Sequence, residues 1–145
     1  MANKPRTAIG SLINGNYYIT NARFKNLAVL RNDDDGTELI AGIIDQAPGE
    51  IWEIASLNNN TFSIMNQSFG LYANCRMRPT KGEVVEAKGL RKQWYIKESR
   101  YRGKYMISPL EGYLCWSLDD GVLNTPITLA DESNSDKNMW IFTFA

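Results

Sequence analysis

The 145-residue chain contains no histidine. That absence removes the usual general base for a serine or cysteine nucleophile and the usual nitrogen ligand for zinc, so catalysis is not expected and no cofactor or metal is implied. Cysteine is scarce as well. Cys75 and Cys115 are too few for a disulfide framework and lack the CxxC spacing of metal or redox sites, which leaves two reduced core thiols as the expectation. Long apolar runs are also missing. Met1 to Asn14 mixes Lys4, Pro5, Arg6, Gly10 and Ser11 among short apolar residues, unlike a signal peptide or membrane helix. Retention in the compartment of synthesis, the cytoplasm, follows as an expectation. The two Asn-x-Ser/Thr triplets, Asn59-Asn60-Thr61 and Asn66-Gln67-Ser68, are then read as unused for glycosylation.

An apolar fraction of 43% suits one globular domain spanning residues 1–145. Sixteen Lys and Arg balance sixteen Asp and Glu, but unevenly along the chain. Residues 71–104 hold ten cations against three acids, and residues 105–145 hold one Lys against six acids. The cations, from Arg76 to Lys104, are spread over several turns and strands. A solvated basic face is therefore expected rather than a nucleic-acid groove.

What the chain does have is a three-fold repeat. Trp followed two places later by an apolar residue occurs at Trp52-Glu53-Ile54, Trp94-Tyr95-Ile96 and Trp140-Ile141-Phe142, at intervals of 42 and 46 residues. Short strand-like runs centred on Ile19, Ile64 and Ile107 recur at 45 and 43. Leu39, Val84 and Ile127, each following a turn, do the same. Gly, Asn, Asp and Pro bound four short strands in each unit, and no segment has helical periodicity. The expected fold is all-β: three four-stranded units at about 15–58, 59–102 and 103–145, after an N-terminal segment 1–14. Together they close into a barrel with a hairpin cap, a β-trefoil with pseudo-three-fold symmetry. The repeating tryptophans are then core.

The repeated Trp, preceded by Gln93 in one unit and by Asn138-Met139 in another, resembles the QxW-type repeat of ricin B-chain lectins. Asn124-Thr125-Pro126-Ile127-Thr128-Leu129 through Asn138-Met139-Trp140, and the opening Gly15-Asn16-Tyr17-Tyr18-Ile19-Thr20-Asn21, look especially like mushroom ricin-B-like lectins. The resemblance covers residues 15–145 and implies glycans or glycoproteins as partners. It also implies that a sugar site would use a carboxylate in the second strand of a unit, an aromatic residue after the third, and Asn or Gln just before the Trp. The first unit departs from this, with Leu27-Ala28-Val29-Leu30 and Ile40-Ala41-Gly42-Ile43-Ile44. The second has Asn74 in its strand but Arg91-Lys92-Gln93 before its Trp.

The third unit keeps Asn138 and places Trp116, Ser117, Asp119 and Asp120 around its second strand, with Ala130 where an aromatic residue is expected. Trp116 is the non-repeating tryptophan, aligned with Val29 and Asn74. Strand alternation puts Leu114 and Trp116 on one face and Cys115 and Ser117 on the other, with Cys115 and Cys75 expected at related strand positions. With Cys115 inward, Trp116 would be a stacking platform beside Asp119, Asp120, Asn124 and Asn138, while packing beneath a loop is the other outcome. A second reading is a serine-protease inhibitor presenting Arg31 and Asn32 on the polar loop that runs to Asp35-Gly36. Either reading fits a monomer or homodimer without a membrane span.

Overall fold

A computed structural model describes residues 6–145, so the first five residues of the N-terminal segment lie outside the described residues. Twelve short strands follow one another: β1 (Gly15–Asn21), β2 (Leu27–Val29), β3 (Ile40–Gly42), β4 (Trp52–Ser56), β5 (Thr61–Asn66), β6 (Tyr72–Asn74), β7 (Glu86–Lys88), β8 (Trp94–Glu98), β9 (Tyr105–Pro109), β10 (Leu114–Ser117), β11 (Thr128–Asp131) and β12 (Trp140–Phe144). Antiparallel pairing runs β1–β4–β5–β8–β9–β12 and back to β1, so six strands close a barrel without free edges. The other six form three hairpins, β2–β3, β6–β7 and β10–β11. This is a β-trefoil. Residues 6–12 run alongside β12, joined by Ala8 N–H to Phe142 O and Phe144 N–H to Arg6 O, and bury Ala8 and Leu12.

Alternation of residues along the barrel strands aims one apolar set inward: Tyr17 and Ile19, Phe62 and Ile64, Tyr105 and Ile107, together with Trp52, Trp94 and Trp140. Each repeating Trp lies opposite an aromatic residue in the register: Tyr17 with Trp52, Phe62 with Trp94, Tyr105 with Trp140. A buried indole N–H needs an acceptor. All three find one in the same place, the second strand of their own unit, at Ala28 O (2.8 Å), Ala73 O (3.0 Å) and Trp116 O (3.1 Å).

The hairpins meet in a cyclic triangle of backbone hydrogen bonds. Leu39 N–H donates to Val85 O, Val85 N–H to Ile127 O and Ile127 N–H to Leu39 O, each at 2.9 Å. An outer ring repeats the device, with the amides of Gly36, Gly82 and Asn124 donating to Ala87, Leu129 and Ala41. Those three donors have positive φ (89°, 89° and 73°), which Gly and Asn tolerate best. The triangle corrects one sequence alignment: the partner of Leu39 and Ile127 is the fully buried Val85, one residue beyond Val84. The hydropathy of two adjacent valines could not distinguish them.

Candidate functional site

The indole acceptors also correct the placement of Trp116. Its equivalents are Ala28 and Ala73, not Val29 and Asn74. Cross-strand partners agree, since Ala28 faces Ala41, Ala73 faces Ala87 and Trp116 faces Leu129. Two units therefore offer a small pair at this level, and the third offers a large one. Trp116 is fully buried and meets Trp94 and Trp140 edge-on, with centroids 5.5 and 5.9 Å away. It is a packing residue, the other of the two outcomes open to it, and it offers no solvent-facing platform.

Strand alternation misled because both faces of β10 are covered. Leu118 N–H donates to Lys137 O, Met139 is buried, and Asn138 ties the loop before β12 by donating to Asp131 O (3.2 Å) and Ser133 Oγ (2.8 Å). Cys115 is buried under this loop, and burial pushes its thiol up to about 12. Cys75 belongs one position beyond Asn74, at the level of Leu30 and Leu118, so the two cysteines are not equivalent. Burial likewise raises its thiol, to about 11, against the nearby Lys92 ammonium.

The other expected sugar contacts do not converge around Trp116. Asp119 and Asp120 are exposed on the β10–β11 loop. Asp120 Oδ1 accepts from Thr125 Oγ1 (2.7 Å) and Val122 N (2.9 Å), and these bonds lower its pKa. Asn124 serves the fold through its left-handed backbone, and Asn138 is buried in the brace just described. In the first unit Arg31 is exposed and lies near Gly42, but Asn32 is engaged: its Oδ1 accepts from Asp34 N and Thr37 Oγ1. The following turn is docked on β7 through Gly36 N–H to Ala87 O and Ala87 N–H to Thr37 O. The loop is thus a knit turn rather than an extended strand offered to a cleft. Asn66 is fully buried, with both ends of its amide bonded, which removes the second glycosylation triplet from solvent.

The site that geometry does assemble lies where the third unit breaks symmetry. Asn21 and Asn66 close the β1–β2 and β5–β6 turns: each Oδ1 accepts two turn amides, and each Nδ2 donates to the loop before a barrel Trp. The register places Pro109 at the corresponding position in β9, where it cannot do this. Phe24 and Phe69, three residues along, pack partly against the core, whereas the third turn has Gly112 at φ +76°. Its next residue, Tyr113, stands 84% exposed.

Beneath this turn the outward residues of β8 and β9 form a floor, with Tyr95 opposite Ser108 and Lys97 opposite Met106. Glu132 N–H donates to Tyr113 O at 2.9 Å, which brings its side chain to the rim. Ser108 Oγ donates to Glu132 Oε1 at 3.3 Å, and the Lys97 ammonium lies 5.0 Å above the Tyr95 ring. The depression holds about 340 Å³ and offers an aromatic wall, a carboxylate, a hydroxyl and an ammonium. A larger depression of about 640 Å³ beside the β6–β7 hairpin has no aromatic lining. Its charges are largely spent on each other, since Lys88 pairs with Asp35 and Glu86 while Glu83 accepts from the Arg76 and Thr80 amides.

Sequence reasoning missed Tyr95, Lys97, Ser108, Tyr113 and Glu132. The signal was present in the third turn, where Pro109 and Gly112-Tyr113 replace the Asn and Phe of the other two.

No protein-family model and no curated protein matches the sequence. Solved structures do match the fold, which is that of a β-trefoil. The Rhizoctonia solani agglutinin is similar at a TM-score of 0.86 and 17% identity, covering 95% of this chain and 100% of its own. The Macrolepiota procera ricin B-like lectin, solved with lactose, gives 0.81 and 17% over 90% and 95%. A designed three-fold symmetric protein, ThreeFoil, gives 0.84 and 13% over 90% and 99%.

Proposed function

We propose that this β-trefoil is a non-enzymatic carbohydrate-binding module that holds a glycan in the Tyr95–Ser108–Tyr113–Glu132 depression. The observation that carries the reading is the exposed Tyr113 ring beside the hydrogen-bonded Ser108–Glu132 pair. A pyranose has an apolar C–H face that gains from an aromatic surface, and hydroxyls that need fixed acceptors and donors. Glu132 supplies acceptors, Lys97 supplies donors and Tyr113 supplies the surface. The floor is barrel sheet, so little ordering entropy is lost on binding. The likeness to ricin-B-like lectins supports the class of ligand.

Non-enzymatic action rests on the chemistry present. The chain has no histidine and so lacks the usual imidazole base for a serine or cysteine nucleophile. A glycan array probed with the parent protein and with Tyr113→Ala and Glu132→Gln tests the site. The expected result is selective binding that falls at least about tenfold in Tyr113→Ala, the loss of one stacking contact, with thermal stability unchanged. Undiminished binding in both variants moves the site elsewhere, and a silent array with the parent removes the reading.

A further inference from the structure

A third depression, of about 370 Å³, lies on the other side of the same turn, where Met77, Leu90 and Leu110 meet Arg91 and Lys92. Met77 and Leu90 are 81% and 79% exposed on neighbouring loops. Asn74 Nδ2 donates to Leu90 O at 2.9 Å and so joins the two segments that build it, 74–77 and 90–93. Arg91 and Lys92 are the cations lining the hollow, and Glu111 on the facing turn is the one carboxylate there. The hollow asks for an occupant that is acidic and aliphatic together. It lacks an exposed aromatic lining, which argues against stacked bases or a sugar ring.

The chain presents such a feature itself. In Asp119-Asp120-Gly121-Val122-Leu123, Val122 and Leu123 are 65% and 48% exposed and both carboxylates face solvent. The loop is pre-formed, because Asp120 Oδ1 holds the Val122 amide and the Thr125 hydroxyl, so docking costs little ordering. Asn124 N–H to Ala41 O and the packing of Gly121 on Phe24 and Asn26 fasten it to the first unit of its own chain, not to the second-unit hollow. We infer that this protein self-associates head to tail, the acidic aliphatic 119–123 loop of one copy seating in the basic aliphatic hollow of the next.

Because the contact joins two different surfaces, each copy retains one free loop and one free hollow, and association extends beyond a dimer unless the rotation closes a ring. Zero net charge removes the overall repulsion that would oppose it, while the separation of basic and acidic thirds supplies local attraction. This inference is independent of the glycan reading, and failure of either leaves the other standing.

Sedimentation velocity of the full chain is the test. The parent should show concentration-dependent growth past dimer that weakens as ionic strength rises from about 0.01 to about 1 M, contracting the Debye length from about 30 to about 3 Å. Leu90→Ser/Arg91→Glu and Asp119→Arg/Val122→Ser should each be folded and weakened at least about tenfold in self-association. Mixed in equal amounts, they should form a dimer and nothing larger, since one intact loop then meets one intact hollow. A parent that stays monomeric to about 0.5 mM at low salt, a Kd too weak to matter, overturns the inference. So does association that both variants retain, or a mixture that stays monomeric while the parent associates.

Discussion

Replacing Trp116 with alanine should destabilise the fold without touching the surface. The side chain is fully buried against Trp94 and Trp140, at a level where the other two units contribute Ala28 and Ala73. Alanine there would give all three units the same small residue and leave a hole the size of an indole, because a closed barrel relaxes little. Truncating a buried Trp costs about 3–5 kcal/mol. One feature offsets part of this: the Trp116 indole N–H has no hydrogen-bond acceptor, and removing an unpaired buried donor returns about 1–3 kcal/mol. A net loss of about 2 kcal/mol corresponds to a Tm fall of roughly 7 °C for a chain of this size. Trp116→Phe keeps most of the ring and drops the orphan N–H, so its cost should be about 1 kcal/mol or less. Urea titrations followed by far-UV circular dichroism, with unchanged m-values, measure both. A Trp116→Ala protein that melts within a degree of the parent refutes the packing argument. A Phe variant as damaged as the Ala variant refutes the account of the unpaired donor.

Asn66→Ala should cost about 2–3 kcal/mol in urea unfolding, since it strips an acceptor from the Ser68 and Phe69 amides and a donor from Gly49 O in a buried site. A loss below about 0.5 kcal/mol would mean that the brace is dispensable, as at Pro109. The thiols should resist alkylation in the folded protein at pH 8, because burial raises Cys75 to about 11 and Cys115 to about 12 and holds both protonated. Iodoacetamide labelling followed by mass spectrometry should find Cys115 modified only after denaturant is added. Fast labelling of native Cys115 would contradict its burial.

Much of the fold was legible in the sequence because it rests on a local signal repeated at a fixed period. Trp52, Trp94 and Trp140 recur with Ile19, Ile64 and Ile107, and every one of them is fully buried. One strand pattern applied three times leaves few ways to bury three aromatic faces together. Val84 and Val85 are not separable by a local signal, because neighbouring apolar residues look alike until a backbone partner selects one.

Trp116 shows where that legibility stopped. Alternation along β10 fixes which residues share a face, but not whether a face meets solvent. The loop before β12 decides that by folding over Cys115, and Asn138, read as a sugar contact, turns out to hold the loop in place. The candidate depression was hidden for a related reason. Tyr95, Ser108, Tyr113 and Glu132 come from β8, β9, the turn after it and the end of β11, and only barrel closure brings them together. The sequence by itself determined the three-fold all-β architecture and its tryptophan core, because burying a repeated apolar pattern is a requirement each unit carries locally. Tertiary structure alone decided which surfaces remain open, because exposure at any residue depends on segments far along the chain that pack across it.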